Sequence, residues 1–344
     1  MNAVDTSTVP APAGGTHSTH PTNRFRLLLR REYWEHKGGF LWAPLIAGGI
    51  SLALAVMAAI VGVVMLNRAA AAGDIQINGV DLGMLTREMS PSDAEQLALG
   101  LDWSLIMSSA WPFIVLTFVV FFYCLGALYD DRKDRSVLFW KSLPISDAQT
   151  VLSKVASAVV VAPVLAVLAA VVTMFGFLVL MSVMVMMFGG NPFTLLWAQS
   201  HPLRIAFGLL AWVPVYAVWA LPTVGWLLLC SAWARSKPFL WATAVPVITG
   251  LLVTWFDIME LFQLDGSWFW RNVVGRLLLG TVPGSDVLYR TAEFGGNDIE
   301  RAEQLLSLQW MYGIFLQPGT WIGAVAGAVM IYIAIRLRRW RDEG

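Results

Sequence analysis

Long blocks without a single Asp, Glu, Lys or Arg alternate with short charged stretches along this chain. The blocks cover residues 38–67, 103–129, 155–203, 205–234, 238–256 and 304–335. A helix needs about 20 apolar residues to cross the roughly 30 Å hydrocarbon core of a bilayer, and each block reaches or nearly reaches that length. Helices buried in soluble proteins rarely run so far without a charge. The pattern therefore predicts an all-α polytopic membrane protein.

We predict one transmembrane helix within each block. The six helices run over Phe40–Leu66, Leu105–Leu128, Ala158–Phe188, Ile205–Trp233, Phe239–Trp255 and Thr320–Ile335. The third is too long for one crossing at 1.5 Å per residue. Either its first turns stand in the cytoplasm or the helix is tilted, and Pro163 is a candidate site for a kink. Gly323 and Gly327 in the last span have the small-xxx-small spacing that favours close helix contact.

Two segments precede the first span. Residues 1–23 lack the charged start and apolar centre of a secretory signal, and they predict a disordered cytoplasmic tail. Residues 24–39 place Phe25, Leu28 and Tyr33 on one helical face with basic residues beside it. That arrangement predicts a short interfacial helix whose arginines face anionic lipid.

The remaining chain, 24–344, is predicted to form a single six-span domain with one large outer segment. Residues 256–319 mix apolar runs with Arg271 and Arg276, which interrupt any full span. We expect short helices there, between the fifth and sixth spans, that rest at the outer leaflet or dip into it.

The basic residues predict the orientation. If the N-terminus is inside, most of the 23 Lys and Arg residues fall in cytoplasmic segments, as the positive-inside rule requires. Both termini and residues 129–154 are then cytoplasmic. We expect a multi-pass protein of the inner (plasma) membrane.

Composition excludes several classes of function. Only 13% of residues are charged, against roughly 25% in soluble domains, and a net charge of zero gives no basic face for nucleic acid. Cys124 and Cys230 both lie in apolar blocks, which argues against a disulfide framework. His17 and His20 have a ligand-like spacing, but their tail is rich in Pro, Ala, Gly and Thr and is typical of a spacer.

Catalytic motifs are absent from the sequence. It contains no HExxH, no GxSxG and no phosphate-binding GxxxxGK[ST]. The six predicted cores contain no ionisable residue of the kind that proton-coupled carriers need, and Asp102 and Arg204 sit at span edges. We therefore predict a chain that is not an enzyme and holds no cofactor or metal. If ATP drives it, a separate chain binds the ATP and Mg²⁺.

The segment between the second and third spans has an unusual order of residues. A charge cluster at 130–135 is followed by Phe139-Trp140, a Leu143-Pro144 break, and Ser146 or Asp147 at the start of the next helix. This order predicts a short amphipathic helix parallel to the membrane, suited to docking a soluble partner. The alternative is a charged loop held at the headgroups by its aromatic side chains.

This segment resembles the loop between the second and third spans of the type-2 ABC (ATP-binding cassette) exporter permeases. In that family a charge cluster precedes a coupling helix reading roughly L-L-x-x-L-P-[IV]-[ST], with a Lys about ten residues on. Leu143, Pro144, Ile145, Ser146 and Lys154 match, whereas Phe139-Trp140 replace the leading leucines. A second departure is Arg135-Ser136, where many members have Gly-Thr or Gly-Ser.

The resemblance implies the membrane subunit of an ATP-driven exporter of a lipid, glycan, peptide or drug. Its partners would be a separate ATPase chain, membrane lipid, and a second permease copy or a related permease. The residues expected to contact the ATPase are Asp130, Asp131, Arg132, Lys133, Asp134, Arg135, Phe139, Trp140, Leu143 and Pro144. The alternative is a membrane scaffold or regulatory protein that docks a cytoplasmic partner without transport. A lipid-modifying enzyme is disfavoured because catalytic groups are missing.

Overall fold

A computed structural model describes residues 24–71, 90–134, 145–260, 265–290 and 307–340. The predicted tail, 1–23, and the segment 135–144 lie outside the described residues. Within the described ranges every regular element is a helix and no strand occurs.

The α-helices are numbered in chain order. They are α1 (Arg24–Glu35), α2 (Ala43–Ala71), α3 (Pro91–Ser108), α4 (Ala110–Gly126), α5 (Tyr129–Lys133), α6 (Asp147–Ala156), α7 (Ala162–Met187), α8 (Pro202–Trp233), α9 (Pro238–Ile258), α10 (Gly266–Phe269), α11 (Arg276–Leu279), α12 (Ser285–Arg290), α13 (Leu308–Tyr312) and α14 (Pro318–Trp340).

Six helical stretches in the described part of the chain are long and apolar enough to cross a bilayer. They are Gly38–Met65, Ser92–Lys133, Asp147–Met187, Pro202–Trp233, Pro238–Ile258 and Pro318–Trp340. They match the six predicted spans one for one, so the protein is an all-α multi-pass membrane protein. α1 precedes them, and short helices lie between the fifth and sixth, both as predicted.

The third stretch extends well before its predicted start. Helices α6 and α7 join through a π-helical turn, Ser157–Val161, into one rod that begins at Asp147. Pro163 has no N–H to donate to the carbonyl of Val159. The wider turn accommodates this loss, since the N–H of Ala162 donates to the carbonyl of Ser157. The first turns of the rod therefore lie beyond the apolar block, where they can carry charged side chains.

The fourth and sixth spans approach each other backbone to backbone. A Cβ on Gly327 would lie 2.5 Å from the Leu221 carbonyl oxygen, and one on Gly225 would lie 2.6 Å from the Gly327 oxygen. Real Cβ atoms do not come so close, so these positions require glycine. The close contact predicted for Gly327 is confirmed: α8 and α14 pack directly against each other at this point.

After the fifth span the chain reverses at a capped helix start. Asp265 accepts hydrogen bonds from the Ser267 hydroxyl (2.7 Å) and the Trp268 N–H (2.9 Å). These bonds lower the pKa of Asp265 below the usual value of an aspartate. The N–H of Gly266 donates to Asp257 Oδ2 (3.0 Å) at the end of α9, which ties the reversal to the span it leaves.

The reversed segment then runs back along the spans. Trp270 Nε1 donates to Thr254 Oγ1 of α9 (2.8 Å), and Thr223 Oγ1 of α8 donates to the Arg276 carbonyl (2.6 Å). Thr223 lies ten residues before Trp233, the last residue of α8, which is roughly 15 Å along the helix at 1.5 Å per residue. The short helices predicted to rest at or dip into one leaflet thus form a re-entrant hairpin that reaches deep between the spans.

The Arg276 side chain is stabilised within the bundle. Its guanidinium stacks on the Trp219 ring at 3.9 Å, and its Nη1 donates to the Gly319 carbonyl (2.8 Å) at the start of α14. A Cβ on Gly323 would lie 2.7 Å from this guanidinium. The small residue at 323 therefore makes room for the arginine, and the hairpin, α8 and α14 meet at this point.

Candidate functional site

Charged side chains from four helices meet inside the bundle at the end that carries α1, α5, the start of α6 and the last turns of α14. We call this the terminal end, and the end with the re-entrant hairpin the hairpin end. The residues that meet there are Glu32, Asp131, Asp147, Lys154 and Arg338, which we call the buried charge cluster.

Lys154 lies at the centre of the buried charge cluster. Its Nζ is 3.2 Å from Glu32 Oε1 and 3.6 Å from Asp131 Oδ2. Lys154 is 2% exposed and Glu32 is fully buried. The Tyr123 hydroxyl donates to the second oxygen of Glu32 at 2.8 Å. One ammonium group thus links α1 to the junction of the second and third spans.

Arg338 connects the sixth span to the same junction. Its Nη1 lies 3.0 Å from Asp131 Oδ2, and its Nε lies 3.3 Å from Asp147 Oδ1. Arg338 is 5% exposed. Asp131 therefore receives two cations, one from α6 and one from α14.

Local helix chemistry places these groups. Ser146 caps α6, accepting from the Gln149 N–H while the Gln149 side chain accepts from the Ser146 N–H. This capping box fixes the start of the rod. Val151 and Val155 are buried on the face that also carries Lys154, because residues three and four apart share one side of a helix. Packing of this apolar face carries the lysine inward.

Removing these charged side chains from water is unfavourable, and only their pairing with one another offsets that free-energy cost. Removing one partner of a buried ion pair costs about 3–5 kcal/mol, whereas the intact pair adds little over an apolar substitute. Its contribution is therefore geometric: the charges pair only when α1, α5, α6 and α14 hold one relative position. The ion pairs therefore fix how these four helices lie relative to one another.

Two of the residues predicted to contact a partner point into the protein. Asp131 belongs to the buried charge cluster, and Arg132 Nη2 donates to the carbonyls of Ser231 (2.7 Å) and Ala234 (2.8 Å). Those carbonyls end α8, where a cation satisfies free acceptors and the helix dipole. The Ser231 hydroxyl completes this joint by accepting from the N–H groups at 128 and 129.

The other predicted contact residues divide into two groups. Asp130, Lys133 and Asp134 are exposed at the terminal end and are open to a partner. The rest lie outside the described residues: Arg135, Phe139, Trp140, Leu143 and Pro144.

The structure adds Glu32, Tyr123 and Arg338, which sequence reasoning did not assign to the site, and gives Lys154 a direct role. A signal was present for Lys154, since a lysine on the apolar face of an amphipathic helix needs a buried partner. Nothing in the local sequence identifies Glu32 as the partner of Lys154 or Arg338 as a second cation beside Asp131, because these residues lie far apart in the sequence.

A second polar pair lies at the hairpin end. Asp102 accepts from the His201 N–H (2.8 Å) and lies 3.1 Å from His201 Nδ1. It is only 6% exposed, so it caps the start of α8 rather than standing free at a span edge. Among the described residues no group of three or more His, Cys, Asp or Glu side chains could hold a metal ion.

Comparison with family models, with curated proteins and with solved structures gave no match. The function is therefore inferred from the chain's own residues and geometry.

Proposed function

We propose that this chain is the membrane-spanning permease subunit of an ATP-driven ABC exporter. It would move or extract a lipid, glycan, peptide or drug, with ATP and Mg²⁺ bound by a separate ATPase chain. The working unit would pair two permease copies, or this chain with a related permease. The terminal end would face the cytoplasm at the inner membrane.

The observation that supports this proposal most strongly is the anchoring of the segment between the second and third spans. Residues 135–144 are flanked by Asp131 on one side and Asp147 on the other, and both carboxylates bind Arg338 of α14. Asp131 also pairs with Lys154, which holds Glu32 of α1. A force on 135–144 would therefore act at once on the interfacial helix and on the sixth span.

A contiguous packed route leads from there to the hairpin end. α14 carries Arg338 at one end, contacts α8 at Gly327, and meets the Arg276 guanidinium at Gly323. Coupling between distant sites travels through such rigid elements when they have two arrangements. Closure of an ATPase pair at the terminal end would thereby shift α14 and the re-entrant hairpin, opening a path on the opposite side.

The proposal is tested by co-expression and co-purification of this chain with a P-loop ATPase, if one is encoded in the neighbouring reading frame. Phe139 and Trp140 are the expected anchors, and truncating an interface anchor typically costs about 2 kcal/mol or more. Replacing both with Ala should release the ATPase and abolish ATP-dependent transport in proteoliposomes. Trp34→Ala is the matched control, because Trp34 is 57% exposed on α1 at the same end.

Retention of the ATPase by the double variant at wild-type stoichiometry would contradict the coupling assignment. A wild-type complex that forms but never transports would favour the scaffold function instead.

A further inference from the structure

A groove with more basic than acidic residues in its lining opens at the terminal end. It borders the buried charge cluster, whose Asp147 and Arg338 form part of the lining and pair with each other. It has a volume of about 610 Å³ and lies between the start of α6 and the last turns of α14. Ser146, Ala148 and Thr150 line one side, and Tyr332, Arg336 and Arg339 line the other. Its volume equals that of about 20 water molecules at roughly 30 Å³ each, which is ample for a phosphoglycerol headgroup.

Three arginines line the groove, and two of them form no ion pair with a described carboxylate. Arg338 at its floor is committed to Asp131 and Asp147. Arg336 donates to the Tyr332 hydroxyl at 2.8 Å but forms no ion pair with a described residue, and neither does Arg339. Both are exposed. The groove therefore presents two positive charges to whatever enters it.

An exposed apolar face of α14 leads from the spanning part of the helix to the groove. Ile322, Val325, Val329 and Tyr332 form an outward stripe on α14 and are 70%, 62%, 51% and 54% exposed. These residues succeed one another at three and four positions, the spacing of one helix face. The same spacing continues to Arg336 and Arg339.

The opposite face of α14 packs inward, with Ala324, Ile331 and Ala334 buried. A lipid chain lying along the apolar stripe would consequently deliver its headgroup to the two guanidiniums. Arg339 lies about 10 Å beyond Tyr332 at 1.5 Å per residue, which spans the headgroup layer. Trp340, 78% exposed, marks the interface at the same level, where such residues concentrate.

We propose that this groove is a binding site for an anionic phospholipid, held by Arg336 and Arg339 through its phosphate and by the α14 stripe through its acyl chain. Basic pockets between spans bind acidic headgroups in this way. The site does not depend on the proposed transport function, since it requires only the bilayer and the two helices.

The test uses the full purified chain in neutral detergent and native mass spectrometry. Phosphatidylglycerol and phosphatidylcholine with identical acyl chains are titrated separately. Each basic residue near an anionic surface strengthens binding about fivefold. The wild type should therefore prefer phosphatidylglycerol by up to about 30-fold at low salt, and Arg336→Gln/Arg339→Gln should abolish that preference.

Two further variants separate the groove from general charge. Arg235→Gln/Lys237→Gln removes the same charge from the exposed connection between α8 and α9 at the same end, and it should keep the preference. Ala148→Trp keeps every charge but fills the groove, and it should weaken phosphatidylglycerol binding. Inorganic phosphate at millimolar concentration should not compete, because it lacks the acyl chain.

Several results would overturn the assignment. Equal affinity of the wild type for both lipids would refute it, as would a preference that survives in the groove double variant. Equal losses in the two double variants would reduce the effect to net charge. Competition by free phosphate would assign the groove to a soluble anion. If the groove double variant instead keeps its lipid preference and loses the ATPase, the surface belongs to the protein partner.

Discussion

Replacing Lys154 with Met should destabilise the protein by far more than an ordinary lysine substitution. Lys154 lies 3.2 Å from Glu32 and 3.6 Å from Asp131, and both carboxylates are buried. Met preserves the length and apolar contacts of the side chain but leaves Glu32 without its nearest cation. Breaking a buried pair in this way costs about 3–5 kcal/mol. Asp131 keeps Arg338 at 3.0 Å, which places the expected cost towards the lower end.

The double variant Glu32→Gln/Lys154→Met isolates the pair itself. Gln has no charge to strand and can still accept from the Tyr123 hydroxyl, now 2.8 Å from Glu32. The double variant should therefore be more stable than Lys154→Met alone, although two residues have changed. Residues in direct contact typically show interaction free energies of about 0.5–3 kcal/mol in such cycles, and a value near the upper limit is expected here.

The chain offers its own reporter of unfolding. Cys124 and Cys230 are free and buried, so a maleimide dye reacts with them only once the bundle opens. At about 2–4 °C per kcal/mol for a domain of 150–250 residues, a loss of about 3 kcal/mol in Lys154→Met should lower the midpoint by roughly 6–12 °C. Lys133→Met is the control, because Lys133 is exposed and such substitutions stay within about 0.5 kcal/mol.

Equal midpoints for Lys154→Met and Lys133→Met would refute the buried charge cluster as a structural link. If the loss of stability in the double variant equals the sum of the losses in the two single variants, Glu32 and Lys154 act independently.

Three further predictions concern packing, capping and orientation. Gly327→Ala should cost about 1–3 kcal/mol in the same assay, since its Cβ would lie 2.5 Å from a backbone oxygen of α8. Gly49→Ala has open space around it and should be neutral or stabilising by up to about 1 kcal/mol. Arg132→Gln should lower the unfolding midpoint of the isolated chain, because Arg132 binds two carbonyls at the end of α8; an effect on ATPase binding alone would contradict that capping role. A single cysteine at position 134, in a Cys-free background, should resist an impermeant maleimide added outside intact cells, and labelling there would reverse the proposed topology.

The alternation of charge-free blocks with charged stretches was enough to predict the six membrane-spanning helices. Hydrocarbon imposes a minimum apolar length and excludes charge, so each span leaves its signature locally in the sequence. Helix α1 and the short helices after the fifth span follow from equally local patterns. The contact at Gly327 was predictable for the same reason, since only small side chains permit backbones to approach.

The partners of Lys154 could not be predicted in this way. A lysine on an apolar helix face indicates that a carboxylate lies near it. Glu32 and Asp131 belong to other helices, however, and their pairing with Lys154 depends on how those helices are arranged. Arg338 is similar: its neighbours at 336 and 339 are exposed, and only the packing of α14 on α8 turns the middle arginine inward.

Asp131 and Arg132 show most clearly the difference between what the local sequence predicts and what the arrangement of helices decides. In the sequence they stand in one solvent-like charge cluster with Asp130, Lys133 and Asp134. In a short helix, successive side chains point about 100° apart, so neighbouring charged residues face different surroundings. Asp131 therefore joins the buried charge cluster, whereas Arg132 binds carbonyls at the end of α8. Hydrophobicity along the chain determined which segments enter the membrane. Which charges pair inside the bundle was decided by the tertiary structure, because ion pairing depends on distances between helices that local sequence does not specify.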